Sequence, residues 1–200
     1  MRTFLAATAF AVAMLNVHAG AASDDDRLAT IKAIEDSTKR FEDVKAALAE
    51  GYVPDPSGHC VTAEAEGLPA SLGGMGIHYL RPDLLGISAT EPRVDGTGTH
   101  TDIKTPAILL YQPQKDGSLK LVGAEWLVFK KSWEAAGNKE PPDTLGRKWD
   151  LMADDPATPA DEAHGFEPHY DQHVYFVGDP ERALEPFNPA VTCEHHSANH

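Results

Sequence analysis

Residues 106–130 read PAILLYQPQKDGSLKLVGAEWLVFK, two apolar runs on either side of the turn text QKDGS. The Asp116-Gly117 dipeptide favours the backbone reversal of a hairpin, and the flanking runs carry strand formers, so the segment predicts a long antiparallel hairpin. A chain built around such a hairpin needs further strands or a helix layer to bury it, which rules out an all-helical fold.

The remaining text supplies those layers. From Asp24 to Glu50, Leu28, Ile31, Ile34, Phe41, Val44 and Leu48 recur at helical spacing. Aspartates at the start suit the positive end of a helix dipole, and Gly51 is placed to stop it, so one amphipathic helix is expected. Its polar face is mixed and not basic, so its stripe packs on the sheet and does not seek a membrane. Pro54, Pro56 and Gly58 form a connector to Cys60, and EGLPASLGGMG leads into a strand at IHYL. That glycine loop has neither a GK[ST] ending nor a following helix, and reads as a tight entry turn, not a phosphate cradle. Residues 132–168 are rich in Pro, Gly and acids without periodicity and read as an extended loop. HVYFV makes the next strand. The fold expected is α+β, with the helix packed on an antiparallel sheet able to curl into a half-barrel.

The start of the chain, MRTFLAATAFAVAMLNVHA, has a cation at Arg2, an apolar run and then small residues. Residues 1–19 are read as a secretory signal, with cuts after Ala21 or Ala22 as alternatives, because the run is short for a membrane span. No cysteine stands at the cleavage point to take a lipid. The expected product is one globular domain over 20–200, secreted or periplasmic, with a frayed tail from about 194. No membrane insertion is expected after signal removal.

Seventeen Lys and Arg against 31 Asp and Glu give a net charge of −14. Such a field repels nucleic acid and anionic lipid and favours cations. Much of it also serves solubility. Cys60 and Cys193 are the two cysteines. In an exported protein a lone pair reads as a disulfide, and neither a nearby cation nor a CxxC spacing supports a catalytic thiol.

The chemistry concentrates in the strands. Alternation along LKLVGAEWLVF places Leu119, Leu121, Gly123, Glu125, Leu127 and Phe129 on one face. Lysines mark the opposite face, with Val122, Ala124, Trp126 and Val128, as the wetter one at its ends. Glu125 is therefore expected to point inward, where a carboxylate needs a histidine, an arginine, a metal or buried water. His78 lies between Ile77 and Tyr79, and His169, Asp171 and His173 share one face of the strand HYDQHVYF. At about 3.3 Å per residue His169 and His173 stand roughly 13 Å apart, too far for easy chelation of one ion. The preferred constellation is His78, Glu125 and His173, with Asp171 or His169 completing or orienting it. Mixed nitrogen and oxygen donors suit one divalent transition metal such as Zn, Mn, Fe or Cu. His59, His100 and His164 lie in loop text and are expected to be solvated. GxSxG, HExxH and CxxC motifs are missing, so serine hydrolase, zincin and thioredoxin-like readings find no support.

The order FEDVKAALAEGYVPD, CVTA, GGMGIHYL, VGAEWLV, PHYDQHVYF and FNPAVTC resembles a family of small exported bacterial proteins with a GMGxHY, VGxE, HYDxH and NPxVxC pattern. The likeness covers nearly all of the chain after the signal. It implies the same polar set, His78, Glu125, His169, Asp171 and His173, with Cys60 and Cys193 as a staple, and it implies no reaction. One departure is the acidic stretch DDPATPADEAHGFE, longer than the pattern leads one to expect. Two functions follow: an exported domain whose inward His/Glu/Asp cluster binds a divalent metal or small polar ligand, or a non-catalytic envelope or interaction protein in which the cluster is a buried hydrogen-bond network.

Overall fold

A computed structural model describes residues 23–157 and 161–196. The expected signal over 1–19 and the last residues of the tail lie outside the described residues.

Helix α1 (Asp24–Thr38) begins where the aspartates predict: the Ser23 side chain accepts from the Asp26 N–H, and Asp24, Asp25 and Asp26 fill the first turn. The single helix expected over 24–50 is two. A 3₁₀ turn, Lys39–Glu42, interrupts it, and Asp43 caps α2 (Val44–Glu50) by accepting from the Lys45 N–H. The cause is local, since Asp bonds its neighbouring backbone more readily at a cap than inside a helix. Gly51 ends α2 at φ 103°, the left-handed cap that glycine favours. The break redirects the stripe: Ile34, Phe41 and Ala47 are buried, whereas Leu28 and Leu48 are exposed.

The strands in chain order are β1 (Val53–Pro54), β2 (Cys60–Thr62) and β3 (Gly74–Leu80), then, after the short helix α3 (Pro82–Leu85), the ribbon β4 (Ile87–Ala89) and β5 (Asp95–Gly96). The hairpin follows as β6 (Ile108–Pro113) and β7 (Leu119–Phe129). After α4 (Lys130–Ala135) come a second ribbon, β8 (Asp143–Thr144) with β9 (Arg147–Lys148), and then β10 (Asp150–Met152) and β11 (His169–Tyr175). The main sheet runs β1-β3-β6-β7-β11-β10 with β2 also on β3, and every pairing in it is antiparallel. The protein is α+β, as the sequence predicts, with one disulfide between Cys60 and Cys193. No described helix is long and apolar enough to cross a membrane.

Two expectations are corrected here, the strict alternation of β7 and the loop over 132–168. The Trp126 face of β7 is wetter only at its ends, at Lys120 and Lys130, as expected, and between them Ala124, Trp126 and Val128 pack with Ile34, Phe41 and Ala47 of the helical layer. Trp126 is fully buried, and its Nε1–H donates to Asp102 O at 2.9 Å. A bulge also breaks the alternation, because Leu110 faces Gly123 while Tyr111 faces Leu121, leaving Val122 extra. Leu121 thus joins the helix side and Val122 joins Leu127 and Phe129 on the other. The stretch 132–168 is likewise not all loop. It contributes β8, β9 and the edge strand β10, pieces of two or three residues, too short to show a period.

The glycine loop before β3 is a close approach to the C-terminal segment. Gly73 has φ 84°, and a Cβ there would stand 2.1 Å from Asn188 O and 2.6 Å from Pro189 Cα. Gly73→Ala is expected to lower unfolding free energy by at least ~2 kcal/mol in urea titrations. A loss below ~0.5 kcal/mol, the usual range of neutral surface changes, would contradict this packing.

Candidate metal-binding site

Register brings the polar residues together. In the β7–β11 ladder His173 lies directly opposite Glu125, so the two side chains share a face. His78 reaches that face from β3 across β6, where His78 pairs with Leu110 and Ile108 pairs with Glu125. The two histidines lean in from either side: His78 Nε2 is 3.3 Å and His173 Nε2 is 3.4 Å from the same oxygen, Glu125 Oε2. One donor atom from each of the three lies within 4.8 Å of the other two. The residues are 9%, 3% and 2% exposed for His78, Glu125 and His173, and the imidazoles meet edge to face.

The other two predicted residues flank this group without joining it. Asp171 is buried on the same strand, with Oδ2 3.9 Å from His173 Nδ1 and Oδ1 without a hydrogen-bond partner. His169 is buried against the Phe166 ring, and its Nδ1 lies 2.9 Å from Glu167 O. Both line the same cavity as the cluster, a space of about 680 Å³.

Of the histidines expected to be solvated, His100 bonds Thr105 and stays away from this cavity, while His59 is exposed at its lining. His164 is a correction. Its side chain is only 16% exposed and it lines the cavity, because Gly165 and Phe166 bond back to Val94 and Ala163 and fold the segment over the sheet. Glu66 and His196 also line the cavity; the sequence offers His196 only within a histidine-rich tail able to trap a metal ion adventitiously, and does not select Glu66. Neither carries a periodic signal, although His59 and His196 sit beside the cysteines that the disulfide joins.

Electrostatics sorts the cluster by protonation. Burial alone would raise the Glu125 carboxyl, but the facing His173 and His78 outweigh it and hold the group well below the usual carboxylate range. Burial lowers His173 to about 4 and His169 to about 4, so both are neutral at pH 7. For His78 burial is overcome by Glu125, and its affinity for a proton rises. Burial, reinforced by the Glu125 charge, pushes the Asp171 carboxyl well above the usual carboxylate range. Neutral His173 and anionic Glu125 thus present lone pairs, while Glu125 Oε2 and His173 Nε2 are buried without a hydrogen-bond partner.

These directions carry a stability prediction for chelator-treated protein. His169 and His173 bind protons near 6.5 when unfolded but only near 4 when folded. The unfolded state therefore holds more protons in that window, and stability falls as pH drops from about 6.5 to about 4. His78 acts in the opposite sense, its contribution being present below 6.5 and lost as pH rises through its higher folded value. Inside the window Asp171, whose carboxyl is raised from 3.8 by folding, opposes them, and His78 changes stability only above 6.5, so two groups against one give a net loss on acidification. Urea midpoints taken across this window check it, and a flat profile would contradict neutral burial of the pair.

Comparison with family models, with curated proteins and with solved structures finds no match. The chemistry is therefore read from the donors themselves. Two imidazole nitrogens and one carboxylate can hold a divalent metal, and a three-residue set leaves further coordination positions.

Proposed function

We propose that this chain is an exported domain, secreted or periplasmic, whose His78, Glu125 and His173 hold one divalent transition metal at the wall of a ligand-binding cavity. The observation that carries this is the pair of buried atoms without a hydrogen-bond partner, Glu125 Oε2 and His173 Nε2, which lie 3.4 Å apart with His78 Nε2 3.3 Å from the same oxygen. A self-contained hydrogen-bond network satisfies its members, and leaving such groups unpaired costs about 1–3 kcal/mol each. A metal ion would engage both. Asp171 and His169 then flank the site and shape its field.

Export is supported by the signal-like start of the chain and by the disulfide, a bond that persists in oxidising compartments. The likeness to small exported bacterial proteins points the same way. Partners of this site are a metal ion or a small molecule, and the net charge of −14 disfavours nucleic acid.

The test is elemental analysis by mass spectrometry on the mature protein, ended at Cys193 so that the histidine-rich tail does not contribute. About one equivalent of a single transition metal is expected, lost in His173→Ala. Metal at background, with melting unaltered by chelator, would favour the buried network instead.

A further inference from the structure

The cavity beside the cluster is far larger than an ion requires. Its volume of about 680 Å³ lies within the range of small-molecule sites, ~300–1,000 Å³. Met75, Ile108, Leu127 and Phe166 give it an apolar wall, with the metal-ligating cluster on one side and His164 with Glu66 on another.

His164 is the residue that the metal reading does not use. Its backbone sits at φ 52°, a left-handed conformation that a non-glycine residue holds only when its surroundings impose it. The surroundings are firm. Arg93 donates to Phe166 O at 2.7 Å and pairs with Asp161 at 2.6 Å, and the Val94 N–H donates to Gly165 O at 2.8 Å. Both ring nitrogens of His164 are closed to solvent, and neither has a hydrogen-bond partner. Nδ1 lies 3.4 Å from Glu66 Oε1, within ion-pair reach but without hydrogen-bond alignment. A strained residue with orphaned polar atoms in the wall of a cavity marks a place where a ligand, entering beside it, supplies the missing partner.

Charge selects the kind of ligand. Among the described residues no lysine or arginine lines the cavity, whereas Asp55, Glu66, Glu125 and Asp161 do. Asp161 is matched by Arg93, and Glu125 by the histidines of the cluster. Glu66 has His164 as its ion-pair partner among the described residues and no permanent cation.

We propose that the cavity binds a small organic cation, an ammonium-type head held by Glu66 and His164 with an apolar body along Met75, Ile108, Leu127 and Phe166. The proposal rests on the reading of this cavity as a ligand site, not on which metal occupies the cluster. A head with several N–H donors serves the Glu66 carboxylate and a His164 lone pair together, in charge-assisted bonds. An anion of the same shape meets Glu66 and Asp55 and is repelled.

Benzylamine and benzoate, which share one ring and differ in the sign of the head, are the probes. Saturation-transfer NMR on the mature protein, before and after EDTA treatment, should show benzylamine bound and benzoate excluded. Glu66→Gln should weaken benzylamine tenfold or more, the scale of a hydrogen bond to a charged group. His164→Asn, a side chain that tolerates left-handed backbone, should weaken it severalfold. Benzoate bound as tightly as benzylamine, or an unchanged affinity in Glu66→Gln, overturns the proposal. Elemental analysis separates the two readings. Metal-free protein that binds benzylamine through Glu66 ends the metal assignment alone, and metal-loaded protein that excludes benzylamine ends this inference alone.

Discussion

Reduction of the Cys60–Cys193 disulfide should remove roughly 5 kcal/mol of unfolding free energy in the chain-entropy treatment of a closed loop. The bond spans 133 positions, so it restrains most of the domain when unfolded. In the native state it ties β2 to the C-terminal segment, whose Val191 and Phe187 are buried and whose Asn188 exchanges backbone bonds with Gly74. Domain stabilities run at about 5–15 kcal/mol, so the reduced protein should stand near its unfolding threshold at physiological temperature. Urea titrations with and without reductant, and of the Cys60→Ser/Cys193→Ser double variant, measure it. A loss below ~1 kcal/mol would mean that the unfolded ensemble keeps these ends together without the bond.

The parts of this fold legible in the sequence are those where one local rule acts alone. Asp116-Gly117 between two apolar runs is such a case, and β6 and β7 pair across it. So is Gly51, whose left-handed φ ends α2. Cys60 and Cys193 pair, as expected of the lone pair of cysteines in a chain with a signal-like start. Reading fails where a rule competes with a neighbour. Asp43 satisfies helix spacing but prefers a cap, so the expected single helix breaks beside it. Lys120 and Lys130 mark the wetter ends of one β7 face, yet nothing beside them announces that helices cover its middle and bury Trp126. Val122 is bulged out by a register shift that no periodicity announces.

The candidate site divides in the same way. Glu125 could be placed inward because Leu127 and Phe129 share its face after the bulge, and His173 because β11 alternates cleanly. That His78, Glu125 and His173 converge depends on the strand order β3-β6-β7-β11, which brings together residues 95 positions apart in sequence. His164 and Glu66 arrive on irregular segments, positioned by Arg93 and by the turn after β2, and no pattern in the text selects them. Strands therefore revealed the cluster, and loops concealed the rest of the cavity.

Metal binding should also appear as stability. A ligand that binds only the folded state adds RT ln(1 + [L]/Kd), about 4 kcal/mol when free metal stands at a thousand times its dissociation constant. The metal-free cluster is poorly suited to folding on its own account. It buries the Glu125 charge at 3% exposure and leaves His173 Nε2 without a hydrogen-bond partner. Coordination would meet both demands at once, so wild-type protein should gain this increment while Glu125→Gln gains none. The substitution keeps the volume and removes the charge, so Glu125→Gln without metal should lie within ~1.5 kcal/mol of metal-free wild type. The two effects are separable in one experiment, urea unfolding of both proteins with chelator and with excess metal. If Glu125→Gln gains as much from metal as wild type, the ion binds elsewhere, and the His78, Glu125 and His173 assignment fails. If metal-free Glu125→Gln instead collapses by several kcal/mol, Glu125 serves the fold through His78 and His173, and the cluster is the buried network.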